Sequence, residues 1–199
     1  MKPDEKARLL DAVAFAVDAH ANQTRKGRGT PYVGHPLRVA GLVLEHGGDA
    51  DQAVAGLLHD TLEDCPEVDA ALLRSRFGEG VTRMVAECSD LLPGDSPRHK
   101  SPWRKRKEYF LGRLGDVDKR TRLVVACDKL DNLRSLIADL ECEGAVTLER
   151  FHASPRQTRW YYEQVGARLG EEIPAVVSGE LRRLLRVLEA FVPEASPEQ

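Results

Sequence analysis

The chain has little cysteine, and its spacing pairs none of it. Cys65, Cys88, Cys127 and Cys142 include no CxxC pair, which excludes a zinc ribbon or a thioredoxin-type motif. Each is expected to be a small buried hydrophobe with a reduced thiol. No apolar run approaches the roughly 20 residues that a membrane span requires. Residues 1–8 are polar and hold no apolar signal core, so the expected location is cytoplasmic, with no membrane partner. There is no basic excess: 29 Lys and Arg stand against 32 Asp and Glu, a net charge of −3. A dedicated nucleic-acid binder normally carries a strong positive balance, so nucleic acid is not an expected partner. A small anionic ligand stays compatible, because local charge can oppose net charge. The sequence also lacks a GxxxxGK[ST] loop, an internal repeat and any strand-length stretch of period-two alternation.

What is present is helical patterning. Pro3-Asp4-Glu5 starts a helix whose apolar positions run from Leu9 to Ala21, with acids early, where the helix dipole favours them. Residues 22–34 hold three glycines and a proline and read as a loop bearing Arg25, Lys26 and Arg28. His35-Pro36 opens the next helix and Gly47-Gly48 closes it. A third runs from Asp51 through Leu62 and stops before Pro66. Further helices are expected over 69–77, ending at Gly78, and over 81–89, 103–114, 118–140, 155–169 and 174–191. Residues 92–102, with three prolines, form an irregular loop and a candidate lid. The expected fold is all-α: one helical-bundle domain over 1–192, with 193–199 as a tail.

The chemistry concentrates at His59-Asp60 followed by Glu63-Asp64. On one continuous helix, residues four apart share a face, which would put Glu63 above His59 and Asp64 above Asp60. Crowded carboxylates resist burial unless a positive charge joins them, and a metal ion supplies one. An imidazole and carboxylate set without thiolate suits manganese, iron or zinc. His35 and Asp128 are the further ligand candidates, Asp128 because an unpaired aspartate on an apolar helix is costly. Each alone has an ordinary reading: a surface pair for His59-Asp60, a solvated loop histidine for His35, a salt bridge to Lys129 for Asp128. Asn132 falls four residues after Asp128 and shares its face. The basic run Trp103-Arg104-Lys105-Arg106-Lys107 fits either a phosphate grip or an exposed helix start. Trp160, Tyr161 and Tyr162 read as packing, and His20 as a core or supporting histidine.

Four segments together, AHANQTRKGRGTPYVGHPLRVA, AGLLHDTLEDC, FGEGV and ACDKLDNLRSL, resemble in order the HD superfamily, and more narrowly the hydrolase domain of RelA/SpoT homologues and the small alarmone hydrolases. RFHASPRQTRWYYEQV is similar to the distal part of the bacterial small hydrolases. The resemblance implies an HD-fold helical bundle and a metal-dependent pyrophosphohydrolase acting on a small nucleotide, with Mn2+ as the usual metal. Carried over by motif, His35, His59, Asp60 and Asp128 hold the metal. Glu63 and Asp64 activate water and move protons. Arg25, Lys26 and Asn132 contact the nucleotide. Lys129 is a further substrate-binding candidate by charge alone, able to offset the developing oxyanions. The chain departs from the pattern twice: Asp131 stands where histidine is usual, adding charge near an acidic site, and Gly27 stands where serine is common. Those departures leave open another nucleotide substrate (an adenosine alarmone, a 3′-phosphorylated dinucleotide or a nucleoside monophosphate). A binding module with little catalysis is a further alternative. The oligomeric state is not legible.

Overall fold

A computed structural model describes residues 1–27, 29–170 and 172–193. Arg28 and the tail expected beyond Pro193 lie outside the described residues. The helices are α1 (Pro3–Ala19), α2 (Gly34–Glu45), α3 (Ala50–Leu58), α4 (Thr61–Asp64), α5 (Ala70–Cys88), α6 (Trp103–Arg113), α7 (Lys119–Glu143), α8 (Pro155–Leu169) and α9 (Ala175–Phe191), with a 3-10 segment at Gly144–Arg150. Among the described residues there is no strand, only isolated bridges between Thr24 and Pro31 and between Ser96 and His99.

Helix starts follow capping chemistry. Asp49 accepts the Gln52 amide at 3.0 Å while the Gln52 side chain accepts the Asp49 amide at 3.0 Å, a reciprocal box that satisfies two otherwise orphaned donors. Asp69 caps α5 through the Leu72 amide, and Asp118 caps α7 through Arg120 and Thr121. Gly78 breaks the α5 segment with φ 86°, a left-handed conformation that a side chain would strain. It separates the two short helices expected over 69–77 and 81–89.

α7 is the axis of the bundle. Val124, Ala126, Cys127, Leu130 and Leu133 are fully buried on it, and α2, α3, α5 and α9 pack around it. α2 and α3 approach closely at Gly56, where an added Cβ would lie 3.4 Å from the Cα and the amide nitrogen of Ala40. These three elements carry His35, the end of α3 at His59, and Asp128. Packing the core therefore assembles the candidate site.

Three expectations need correction. First, the helix expected from Asp51 through Leu62 is not continuous. α3 ends at Leu58 and α4 begins at Thr61. The His59 Nδ1 lies 2.8 Å from the Gly56 carbonyl, and the Thr61 hydroxyl donates to the Leu58 carbonyl at 2.7 Å. These side chains take carbonyls that backbone amides would otherwise use, and so compete with the helix. Glu63 no longer stands a regular turn above His59, its amide bonding the Asp60 carbonyl, whereas Asp64 does follow Asp60 by one turn, its amide donating to the Asp60 carbonyl at 2.9 Å. Second, loop 92–102 is irregular as expected, but internal hydrogen bonds give it a defined shape. Asp95 accepts the Leu92 amide and both the amide and hydroxyl of Ser101. Third, Cys142 is exposed, whereas Cys65, Cys88 and Cys127 are buried as expected.

The close α2–α3 approach sets a steric limit. Gly56→Ala should be tolerated, since a methyl meets ordinary contact distances and alanine favours the helix by about 1 kcal/mol. Gly56→Leu should overpack the seam and cost about 1–3 kcal/mol, read by urea unfolding.

Candidate metal centre and cleft

His35 sits in the first turn of α2, fully buried. His59 follows the last residue of α3, and Asp128 lies midway along α7; both are buried. One side-chain donor atom each from His35, His59 and Asp128 falls within 4.8 Å of the others. The Nε2 atoms of the two histidines lie 3.1 and 3.4 Å from Asp128 Oδ1, and 3.6 and 3.0 Å from Asp60 Oδ2. Neither Nε2 makes a hydrogen bond. These histidine-to-carboxylate separations match the edges of a ligand shell with bonds of about 2.1 Å. The set fits a divalent cation, and its nitrogen and oxygen chemistry matches a borderline transition metal.

Electrostatics agree. Burial lowers the proton affinity of His59, but the Asp60 and Asp128 carboxylates more than offset it and hold the ring protonated well above its usual range. Burial works against ionised Asp128, yet Lys129 and His59 keep its carboxyl well below the usual range. Lys129 donates to Asp128 Oδ2 at 2.6 Å and Asn132 to Oδ1 at 2.5 Å. Tyr32 donates to Asp60 Oδ2 at 2.5 Å. The salt bridge from Asp128 to Lys129 exists beside the histidine contacts, not instead of them.

Beside this cluster is a cavity of about 250 Å³ bordered by Asp60, Glu63, Asp64, Lys26, Lys107 and Lys129. Glu63 accepts the Asp90 amide at 2.7 Å. Burial first, and the Asp90 carboxylate second, push Glu63 up to about 7. Asp64 lies apart in character, receiving Lys100 at 2.7 Å at half-exposed depth. The wider cleft, about 900 Å³, is walled by Arg25, Lys26, Arg38, Lys129, Asn132 and the aromatic faces of Trp103, Tyr161 and Tyr162. Arg25 donates to Asn132 Oδ1 at 3.1 Å. Eight of the ten residues singled out in the sequence for metal, acid or nucleotide roles line the two cavities, and the buried His35 and His59 lie behind them against Asp60 and Asp128.

Several cleft residues escaped sequence reasoning. Asp90 is buried and receives Arg106 together with Lys107 at 2.7 Å. The basic run is therefore no simple exposed helix start: Lys107 faces both cavities, while Arg104 stacks on Trp160 at 3.5 Å. The excess of acid near 60–64 signals a need for such cations but not which ones. Trp160, Tyr161 and Tyr162 pack as read from sequence, the first two edge to face on Trp103, and Tyr161 and Tyr162 also wall the cleft. His20 is buried with Nδ1 2.8 Å from Gln23 Oε1. Asp131 does not project surplus charge into the site; it bonds His35 and Arg38. Gly27 has φ 78°, and a Cβ there would collide with the Arg150 side chain, which pairs with Glu143.

Comparison with known proteins follows this geometry. A family profile described as HD domain matches residues 12–170. The chain is 37% identical over 137 residues to the human guanosine-3′,5′-bis(diphosphate) 3′-pyrophosphohydrolase MESH1, covering 66% of this chain and 71% of that protein. The Xenopus tropicalis MESH1 is 36% identical over 135 residues, with the same coverage. A probable enzyme of the same activity from Synechocystis is 32% identical over 165 residues, and there the chain spans only 20% of the relative's length. Among solved structures, one described as a metazoan orthologue of SpoT that hydrolyses ppGpp superimposes with a TM-score of 0.73 at 25% identity, over 90% of this chain and 94% of that one. The lmo0812 protein of Listeria monocytogenes gives 0.66 at 28% identity, over 80% and 98%. With an HD profile over most of its length and pyrophosphohydrolase relatives matched over more than two thirds of theirs, the chain belongs to the HD-domain family.

Proposed function

We propose that this protein is a metal-dependent pyrophosphohydrolase of guanosine polyphosphate alarmones, converting ppGpp or pppGpp to GDP or GTP and pyrophosphate. The observation that carries this reading is the meeting of two buried, unbonded imidazole nitrogens with the Asp60 and Asp128 carboxylates. His35, His59, Asp60 and Asp128 would hold the cation, Mn2+ in this reading. A bound divalent cation supplies Lewis acidity, which makes a water molecule more acidic near neutrality.

The chain's own residues divide the remaining work. Glu63, with its carboxyl raised to about 7, is matched to accept a proton from the attacking water at physiological pH. The water oxygen forms a bond to phosphorus, the bond from phosphorus to the 3′ oxygen breaks, and a proton ends on that oxygen. Asp64, ion-paired to Lys100, orients the water. Lys26, Lys107 and Lys129 around the small cavity offset the charge that develops on the phosphoryl oxygens. Arg25 and Asn132, bonded to each other, present a joined polar edge to the nucleoside, and the aromatic wall offers an apolar surface for it. The Asp131 and Gly27 departures are the motive in the sequence for the alternative of another nucleotide. That motive weakens because Asp131 is buried and engaged by His35 and Arg38.

Manganese-loaded protein should release pyrophosphate and GDP from ppGpp, and both chelation and Asp60→Ala should abolish release. No turnover of ppGpp by loaded protein, beside turnover of an adenosine alarmone or a nucleoside monophosphate, would replace the substrate. Glu63→Gln should lower kcat by about 10²–10⁴ while the cation still binds; unchanged turnover removes Glu63 from the mechanism. Cation affinity should also depend on pH. In the cation-free protein His59 retains its proton to well above its ordinary range, so binding must release that proton. Affinity therefore rises with pH through and above about 6.5, by up to about tenfold per unit for one released proton. Titration calorimetry across pH checks the sign; a flat profile would rule out the linkage.

A further inference from the structure

Asp131 is an acid in a core that already holds two others, and its neighbours explain why it is there. It lies on α7 three residues after Asp128, and only 3% of it is exposed. Its Oδ2 is 2.6 Å from Nδ1 of His35. Arg38, three residues after His35 on α2, closes over the carboxylate, with Nε 2.6 Å from Oδ1 and Nη2 3.0 Å from Oδ2. One acid of α7 thus faces each nitrogen of the His35 ring: Asp128 Oδ1 is 3.1 Å from Nε2, and Asp131 holds Nδ1. Residues three apart on facing helices make this clamp possible.

His59 is held differently. Its Nδ1 meets the Gly56 carbonyl, a neutral acceptor. A carboxylate acceptor both fixes the tautomer and pushes electron density into the ring, so that Nε2 becomes a better donor to a cation. The cost of burying that carboxylate is met by the forked guanidinium of Arg38. Arg38 is half-exposed and also borders the wide cleft.

We propose that Asp131, clamped by Arg38, is a positioning residue for His35 that fixes its Nδ1–H tautomer and sets the affinity of the site for a divalent cation. The inference rests on the metal-centre reading above. It gives a function to the residue at which this chain departs from the histidine of the related motif.

The test is binding, independent of turnover. Mn2+ titrations would compare the parent protein with Asp131→Ala, Asp131→Asn and Arg38→Gln, each verified as folded by its cation-free thermal melt. Asp131→Ala should weaken Mn2+ binding about 10–100-fold. Asp131→Asn, which keeps an acceptor but loses the charge, should fall between that variant and the parent. In the cation-free protein, at a pH where the ring is neutral, long-range ¹H–¹⁵N spectra should show His35 as a single Nδ1–H tautomer in the parent and in Asp131→Asn, but as a mixture of tautomers in Asp131→Ala. Should Asp131→Ala fail to fold, Arg38→Gln decides, because its half-exposed side chain can be shortened without opening the core. It should bind Mn2+ several-fold more weakly. Parent-like affinity in the folded variants, within about twofold, overturns the inference alone. Absence of cation binding by the parent overturns it together with the metal-centre reading.

Discussion

The arrangement depends on the cost of burying charge. Asp60 and Asp128 lie beside two buried imidazoles, where carboxylates without positive partners would be strongly disfavoured. Each has a specific partner: Tyr32 donates to Asp60, while Lys129 and Asn132 donate to Asp128. The two Nε2 atoms are the donors left without a bond. Because α2, the end of α3 and α7 each bring one part of the cluster, helix packing and site assembly are a single problem. A shift that separated α2 from α7 would strand charges as well as open a seam.

Adjacent acids receive opposite environments from this frame. Glu63 is enclosed near Asp90, and its carboxyl rises to about 7. Asp64, one residue on, opens toward the cleft and holds Lys100 from the loop after α5. Two groups of nearly the same chemistry thereby differ in surroundings: one is enclosed beside a carboxylate, the other tied to an ammonium group. The proline-bearing loop takes part by delivering a cation, and its own hydrogen bonds to Asp95 give it a defined shape.

Much of the fold was legible because it rests on local signals. Gly78 ended one helix, Asp118 began another, and α8 lies over 155–169 as the apolar spacing indicated. The HD motif and its distant companions singled out His35, His59, Asp60 and Asp128, whose side chains the fold brings side by side. What could not be read depended on partners remote in sequence or on competition for one hydrogen bond. The helix break at His59-Asp60 arises because a ring nitrogen and a hydroxyl displace backbone amides, an outcome periodicity does not encode. Asp131 read as surplus charge because Arg38 and His35 are far away along the chain. Asp90 carried no motif at all, and only the folded chain puts Arg106 and Lys107 on it.

Gly27 and Arg150 are joined in a way that bears on how this sequence can drift. The backbone at 27 is left-handed, and the space a Cβ would fill is taken by the Arg150 side chain. The serine common at this place in related motifs would take a strained backbone here and push the flexible end of the Arg150 side chain aside. A shorter residue at 150, which would release Glu143, therefore eases a change at 27. The loop that carries Arg25 and Lys26 thus shares its evolutionary freedom with a 3-10 turn more than a hundred residues downstream.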